Sequence, residues 1–318
     1  MSPKTCWIVY DGDKIGTRNQ ALGLATALGV EAHLKPVYAK FPWSILPSCF
    51  WPLPLRSLSK RSASLDKPWP DLIIAGGRQS AAPAAEIRKL NRGKTKVIQI
   101  LNPYLPFQSF DAVIVPKHDN LSGSNVIEIT GALHGLTDEK LKNAHGDFKN
   151  IFKNIPHPLM GVLIGGSNSC YTLDQKVMNK LVKALRDLHK KMGVSFAITV
   201  SRRTSSSCYK LLQRGLTDIP HYLWDNTGNN PYLGILAHSD ALLVTADSIS
   251  MTAEACFTGK PVYIYELPGG SAKFKRFHQN LYQNDHARPF EENLKAWTPV
   301  KLEEKVQTLK KLISLLNN

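Results

Sequence analysis

No apolar run in the sequence approaches the roughly 20 residues a helix needs to cross a bilayer, so no segment reads as a transmembrane span. Cysteine is scarce and scattered. The five residues, Cys6, Cys49, Cys170, Cys208 and Cys256, are odd in number and lack metal-ligand spacing, which argues against a disulfide framework or a zinc site and for a reducing compartment. There is no G-x-G-x-x-G of the dinucleotide dehydrogenases and no G-x-x-x-x-G-K-[ST] of the P-loop NTPases, so both classes drop away. Low-complexity tracts are missing too, and a content of 43% hydrophobic and 20% charged residues excludes disorder. The first residues, MSPKTCWIVYDG, enter a strand at once and leave no room for a signal peptide. A cytoplasmic protein is expected, at most peripheral on the inner face of a membrane.

What is present begins with charge. A net +15 over 318 residues, spread along the chain, raises the local concentration of anions such as nucleotides, phosphosugars or an acidic membrane surface. Nucleic acid, another anionic partner, ranks low, because no zinc-finger spacing, RNP-type strand or basic zipper occurs. The length predicts two domains. Short β-branched runs at 4–10, 31–37, 71–75, 96–101, 111–115 and 126–129 alternate with helical spacing at 19–28 and 80–90, the rhythm of a doubly wound parallel sheet. After a polar helical stretch at 137–154 and the Pro156-His157-Pro158 break, the rhythm restarts. Strands are expected at 159–164, 195–200, 221–224, 241–244 and 261–265, and helices at 174–192, 248–257 and 274–283. A final helix at 301–316 either closes the second domain or packs back on the first. Domains of 1–155 and 156–318 follow, with a ligand crevice expected at the carboxyl ends of the strands.

Several loops that follow these strands are rich in glycine or small polar residues. Asp11-Gly12-Asp13-Lys14-Ile15-Gly16 and Gly76-Gly77-Arg78 belong to the first domain, where Gly12, Gly16, Gly76 and Gly77 permit tight turns and Arg78 could meet an anion. In the second domain, Gly165-Gly166-Ser167-Asn168 takes the place equivalent to the first of these. The segment Thr245-Ala246-Asp247-Ser248-Ile249-Ser250-Met251 leads into a helix that Ser248 or Ser250 can cap, with first-turn N–H groups suited to phosphate. Glu254 falls about one turn in, where a carboxylate can accept from ribose hydroxyls or merely favour the helix dipole. Ser201-Arg202-Arg203-Thr204 puts two guanidinium groups just past a buried strand, a pairing that suits a diphosphate. Plain strand-to-helix turns and solvated arginines are the competing readings.

Asp11 and Asp13 form a D-x-D, but two carboxylates are too few to specify a metal, so none is expected. The segment from Phe41 to Leu55 is apolar, broken by prolines and followed by Arg56, Lys60 and Arg61. Its tryptophans beside basic residues suit contact with an anionic membrane through 41–61, or equally a loop packed on its own domain.

These motifs carry a resemblance. Trp7 to Gly12 with Gly16, Asn19, Gln20, Ala21, Leu22 and Gly23, together with Gly76-Gly77-Arg78, Gly165 to Asn168, Ser201 to Thr204 and Thr245 to Met251, resemble the mitochondrial-fission "Elongated Mitochondria" family, which includes bacterial members classed as glycosyltransferases. The family is in turn similar to GT-B glycosyltransferases, which implies two Rossmann-like domains facing across a cleft. The second half resembles the nucleotide-sugar domain of the N-acetylglucosaminyltransferase that makes lipid II, and this likeness gives Glu254 the ribose. The family usually has Asn directly after the two glycines, where this chain has Ser167 before Asn168. The lipid II enzyme carries a histidine in its first glycine-rich loop, where this chain offers only Asp11 and Asp13.

The resulting expectation is a metal-independent transferase with no cofactor beyond a nucleotide diphosphate sugar as co-substrate. The sugar would move to an unidentified, lipid-linked or cell-envelope acceptor. The donor would lie against Gly165, Gly166, Ser167, Asn168, Ser201, Arg202, Arg203, Thr245, Asp247, Ser248, Ser250, Met251 and Glu254. The acceptor would face Gly12, Gly16, Gly76, Gly77 and Arg78, with Asp11 as general base oriented by Asn19 or Gln20. A non-enzymatic membrane-fission recruitment scaffold on the same fold is the alternative, and a phosphosugar epimerase a third.

Overall fold

The computed structural model describes residues 5–291, 294, 297–303 and 305–317. The chain divides into two compact units, Met1–Gly135 with Glu304–Asn318, and Leu136–Glu303. The division comes ahead of the Pro156-His157-Pro158 break, so the polar helical stretch belongs to the second unit and the terminal helix to the first.

The first unit holds strands β1 (Cys6–Asp11), β2 (Ala32–Val37), β3 (Leu72–Gly76), β4 (Lys96–Ile100), β5 (Ala112–Pro116) and β6 (Val126–Ile129), with helices α1 (Ile15–Ala27) and α2 (Arg78–Leu90). Of the expected first strand, Lys4 lies outside the described residues. The strands form one parallel sheet in the order β2-β1-β3-β4-β5-β6. Central strands such as β3 and β5 are buried along their whole length because both faces are covered, which is why they read as unbroken apolar runs. Alternate residues supply two cores. Ile8, Ile74, Ile98 and Ile114 pack on one face; Val9, Ile73, Val97 and Val113 pack on the other.

The second unit begins with helices α3 (Asp138–Asp147) and α4 (Lys149–Phe152). It continues through β7 (Leu159–Ile164), α5 (Gln175–Met192), β8 (Ser195–Val200), α6 (Ser206–Gly215), β9 (His221–Leu223), α7 (Tyr232–His238) and β10 (Ala241–Thr245), then α8 (Ile249–Phe257), β11 (Val262–Tyr265), α9 (Ala272–Gln283) and β12 (Arg288–Pro289). Helix α10 (Lys305–Asn317) then returns to the first unit, where Leu312 is fully buried in the core that holds Ile8 and Ile114. The second sheet is parallel in the order β12-β11-β10-β7-β8-β9.

Local sequence explains the longest helix well. Asp174 caps α5 by accepting from the Val177 N–H at 2.8 Å, Val177, Met178, Leu181, Leu185 and Leu188 form its buried stripe, and Gly193 ends it at φ 67°. Helices α6 and α7 and strand β12 were not expected from the pattern. Helix α7 is short and carries Gly234, whose missing Cβ makes room for Phe148, since an added one would stand 2.6 Å from that side chain.

Strand order fixes where function can sit. Open α/β sheets bind ligands at the carboxyl ends of strands where the chain reverses its direction of winding. In the second unit that switch lies between β7 and β10, with β8 and β9 on one side and β11 and β12 on the other. In the first unit it lies between β1 and β3.

Candidate functional site

At the switch point of the second unit, the loops after β7, β8 and β10 are joined by one hydrogen-bond network. The Asp247 side chain is fully buried at its centre. Its Oδ2 accepts from the Gly166 N–H at 2.9 Å and pairs with Arg203 at 2.7 Å, while Oδ1 accepts from the Thr245 hydroxyl at 2.6 Å. Thr245 in turn accepts from the Gly165 N–H at 2.8 Å. Arg203 also donates to the Gly166 carbonyl at 2.9 Å, and Ser201 and Thr204 both donate to the Gly165 carbonyl. The two glycines are needed for close approach. A Cβ on Gly165 would stand 2.1 Å from Asp247 Oδ2, and one on Gly166 would stand 2.4 Å from the Arg203 backbone.

This geometry redistributes the roles expected of the motif. The Gly165 and Gly166 N–H groups are taken by Thr245 and Asp247, and Arg203 neutralises a buried carboxylate. Ser167 accepts from the Leu173 N–H at 2.9 Å, and Asn168 closes a turn through Cys170 and Tyr171 while donating to the Asp247 carbonyl at 3.3 Å. These residues build the platform. Arg202, by contrast, is exposed and makes no ion pair among the described residues. The next feature is the start of α8. Ser248 caps it by accepting from the Met251 N–H at 3.4 Å, and Ser250 lies in a first turn whose N–H groups have no partner within the helix.

Glu254 sits on α8, half-buried, and accepts a short hydrogen bond from the Tyr232 hydroxyl. Burial raises its carboxyl above the usual glutamate range, and the bond from Tyr232 offsets part of that. Tyr232 is pushed well above its ordinary value by burial and then by the adjacent carboxylate. Tyr232 lies in a stretch with no motif of its own, so pattern reading had no signal for it.

In the first unit the expected residues cluster as well, at the β1/β3 switch. Asp11 is buried and its Oδ1 accepts from the backbone N–H groups of Gln79 and Ser80 at 2.9 and 3.1 Å, so it caps α2 from the neighbouring strand. Burial raises its carboxyl to about 6, against the lowering effect of these backbone donors. Gly77 is required here, with φ 99° and a Cβ position 2.8 Å from Asp11 Cγ. Gly12 and Gly76 allow Tyr38 and Thr17 to come close, whereas a Cβ on Gly16 would meet nothing within 4 Å. Arg78 is spent on the carbonyls of Ser44, Ile45 and Leu46 and anchors the proline-broken segment. Asn19 is exposed on α1, and neither it nor Gln20 bonds Asp11.

The proline-broken segment is divided in character. Trp51 is buried and donates to the Leu46 carbonyl at 3.4 Å, and Ser48 donates to the Arg78 carbonyl. Phe41, Ile45, Phe50 and Leu53 are exposed. Among the described residues no helix is long and apolar enough to cross a membrane, and no group of three or more His, Cys, Asp or Glu is placed to hold a metal ion.

Two parallel six-stranded sheets with their loops gathered at the switch points define a GT-B fold, and solved structures agree. MurG of Acinetobacter baumannii aligns with a TM-score of 0.53 at 15% identity, covering 99% of this chain and 94% of its own. A UDP-GlcNAc 2-epimerase from Methanocaldococcus jannaschii, solved with UDP-GlcNAc and UDP, gives 0.52 at 11% over 99% and 93%. Os79 from O. sativa, solved with UDP and deoxynivalenol-3-glucoside, gives 0.51 at 12% over 98% and 94%.

Within that fold the chain belongs to the Mitochondrial fission ELM1 family, whose profile matches residues 15–314. It is 30% identical to the "Uncharacterized protein RP120" of Rickettsia prowazekii, with 91% of each chain covered. It is 31% identical to the "Mitochondrial fission protein ELM1" of Arabidopsis thaliana over 71% of this chain and 58% of that one.

Proposed function

We propose that the second unit binds a nucleotide diphosphate sugar and that the protein transfers the sugar to an acceptor held by the first unit. The observation that carries this reading is the platform built by Asp247, Thr245, Gly165, Gly166 and Arg203 beside the capped N-terminus of α8. Such a rigid edge leaves the first turn of α8 and the Arg202 guanidinium to face a diphosphate. Glu254, held by Tyr232, keeps a second carboxylate oxygen for ribose hydroxyls. Charge developing on the leaving diphosphate is then met by fixed donors and by Arg202, with no metal called for. UDP is the natural first nucleotide to test, because solved neighbours of the same fold carry UDP or UDP-GlcNAc. Asp11 serves this reading by holding the Gly77 loop at the acceptor side.

The exposed Phe41, Ile45, Phe50 and Leu53 beside Lys40, Arg56 and Arg61 favour a second property, peripheral contact with an anionic membrane. That surface would suit a lipid-linked acceptor. It would equally serve a recruitment scaffold, the role the fission relatives' name suggests.

Thermal stabilisation by uridine, guanosine, adenosine and cytidine diphosphate sugars, with and without Mg²⁺, separates the two. Under the transferase reading one nucleotide series raises the melting temperature of the wild type, and Glu254→Ala or Arg202→Ala abolishes the shift. If no nucleotide shifts it, the donor reading fails and the scaffold reading replaces it.

A further inference from the structure

Beside the platform the second unit contains a cavity of about 550 Å³, whose lining includes Tyr171, Glu266, Lys275, His278, Gln279 and Tyr282. None of these belongs to the glycine, arginine or serine motifs. The cavity is tied to the platform from two directions. Tyr171 belongs to the loop closed by Asn168, and the His278 ring bonds the backbone of Ala246, between Thr245 and Asp247. Its lining also includes Gly269 and Gly270, at φ 109° and 107°, where the Gly270 N–H donates to the Cys170 carbonyl at 2.7 Å. A Cβ on Gly269 would stand 2.2 Å from that same carbonyl oxygen.

Two buried polar atoms in this lining have no hydrogen-bond partner among the described residues, His278 Nε2 and the Tyr282 hydroxyl. His278 is only 4% exposed. Orphaned buried polar groups cost free energy and are rare unless something completes them. Burial holds His278 neutral, lowering it to about 4. Its other nitrogen faces the Ala246 backbone carbonyl and so carries the proton, which leaves Nε2 as an acceptor.

The chemistry of the lining chooses the ligand class. A phosphate or carboxylate wants donors alone, yet this cavity offers an imidazole acceptor and the Glu266 carboxylate as well as Lys275. Tyrosine hydroxyls and the Gln279 amide can act either way. A ligand whose groups both donate and accept, as sugar hydroxyls do, satisfies such a set.

We propose that this cavity is a subsite for a neutral, hydroxyl-rich group, and that it holds the sugar ring of the donor, an assignment that rests on the nucleotide-sugar reading above. The Tyr282 hydroxyl and His278 Nε2 are its specificity contacts, with Gln279 in the same lining.

Titration calorimetry with UDP and UDP-N-acetylglucosamine, and with GDP and GDP-mannose, tests it on the wild type, Tyr282→Phe, His278→Leu and Gln279→Ala. Tyr282→Phe removes one oxygen and keeps the ring, so it preserves packing. The expected result is unchanged affinity for the free nucleotide, with a loss of about tenfold in affinity for its sugar conjugate in Tyr282→Phe. If a nucleotide binds and the contribution of its sugar is the same in all variants, the subsite is overturned while the donor reading stands. Saturation-transfer NMR with free N-acetylglucosamine and mannose covers the remaining case. Sugar binding that depends on Tyr282 without any nucleotide binding keeps the subsite and overturns the donor reading, and binding of neither overturns both.

Discussion

Arg203 lies 2.7 Å from Asp247, and the carboxylate it neutralises is fully buried beneath the Gly165-Gly166 turn. Removing the cation leaves a buried charge with only hydroxyl and amide donors. Arg203→Ala is therefore expected to destabilise the second unit by about 2–3 kcal/mol, the lower part of the range for a broken buried pair because the arginine itself is partly exposed. Arg202→Ala should leave the denaturation midpoint within about 0.5 kcal/mol of wild type. Equal effects of the two substitutions in urea titrations would contradict the division of roles between neighbouring arginines.

Asp11 links stability to pH in the first unit. Its folded-state carboxyl is raised from the ordinary 3.8 to about 6, so between these values the folded chain keeps a proton that the unfolded chain has released. Stability should fall as pH rises through that window, by about 3 kcal/mol in all, and Asp11→Asn should remove that part of the slope. The measurement is the difference between wild-type and variant unfolding free energies at pH 4 and pH 7. A difference that does not change with pH would show that Asp11 titrates normally.

Tyr232→Phe isolates the hydroxyl that orients Glu254. Nucleotide affinity should drop about three- to tenfold, less than in Glu254→Ala, because the carboxylate survives but loses a donor. Calorimetry with the stabilising nucleotide checks this. A Tyr232→Phe protein that binds as tightly as wild type would remove Glu254 positioning from the account.

The segment from Phe41 to Leu55 makes opposite predictions for neighbouring aromatic residues. Replacing the exposed Phe41, Ile45 and Phe50 by serine should leave stability nearly unchanged and reduce sedimentation with anionic liposomes several-fold. Trp51→Ala should instead cost about 3 kcal/mol of stability, since the ring is buried. Liposome binding untouched by the triple substitution would dismiss the membrane surface.

Most of the fold was legible because parallel strands buried on both faces leave short apolar runs. Strands 159–164, 195–200 and 126–129 were read with the bounds the structure shows. Helix α7 was hidden because it is only seven residues long and packs Gly234 against Phe148, a contact no local pattern records. At the candidate site, the glycine and serine motifs mark loops that the structure joins in one hydrogen-bond network, but not what their atoms bond. A sequence shows that Gly166 and Arg203 follow the carboxyl ends of strands; only the fold shows that both are bound to Asp247. Arg78 illustrates the same limit, since its guanidinium serves three carbonyls of the chain itself. His278 and Tyr282 carried no signal at all, lying in an ordinary amphipathic helix.

Helix α10 gives the chain an order of birth that differs from its order of assembly. The core around Ile8 and Ile114 includes Leu312, which is synthesised after the whole of the second unit. The unit encoded first therefore lacks the α10 part of this core, which Ala21 and Leu24 of α1 already share, until all of Leu136–Glu303 has been synthesised. A chain that stops short of Leu312 would release a finished second unit joined to an unfinished first.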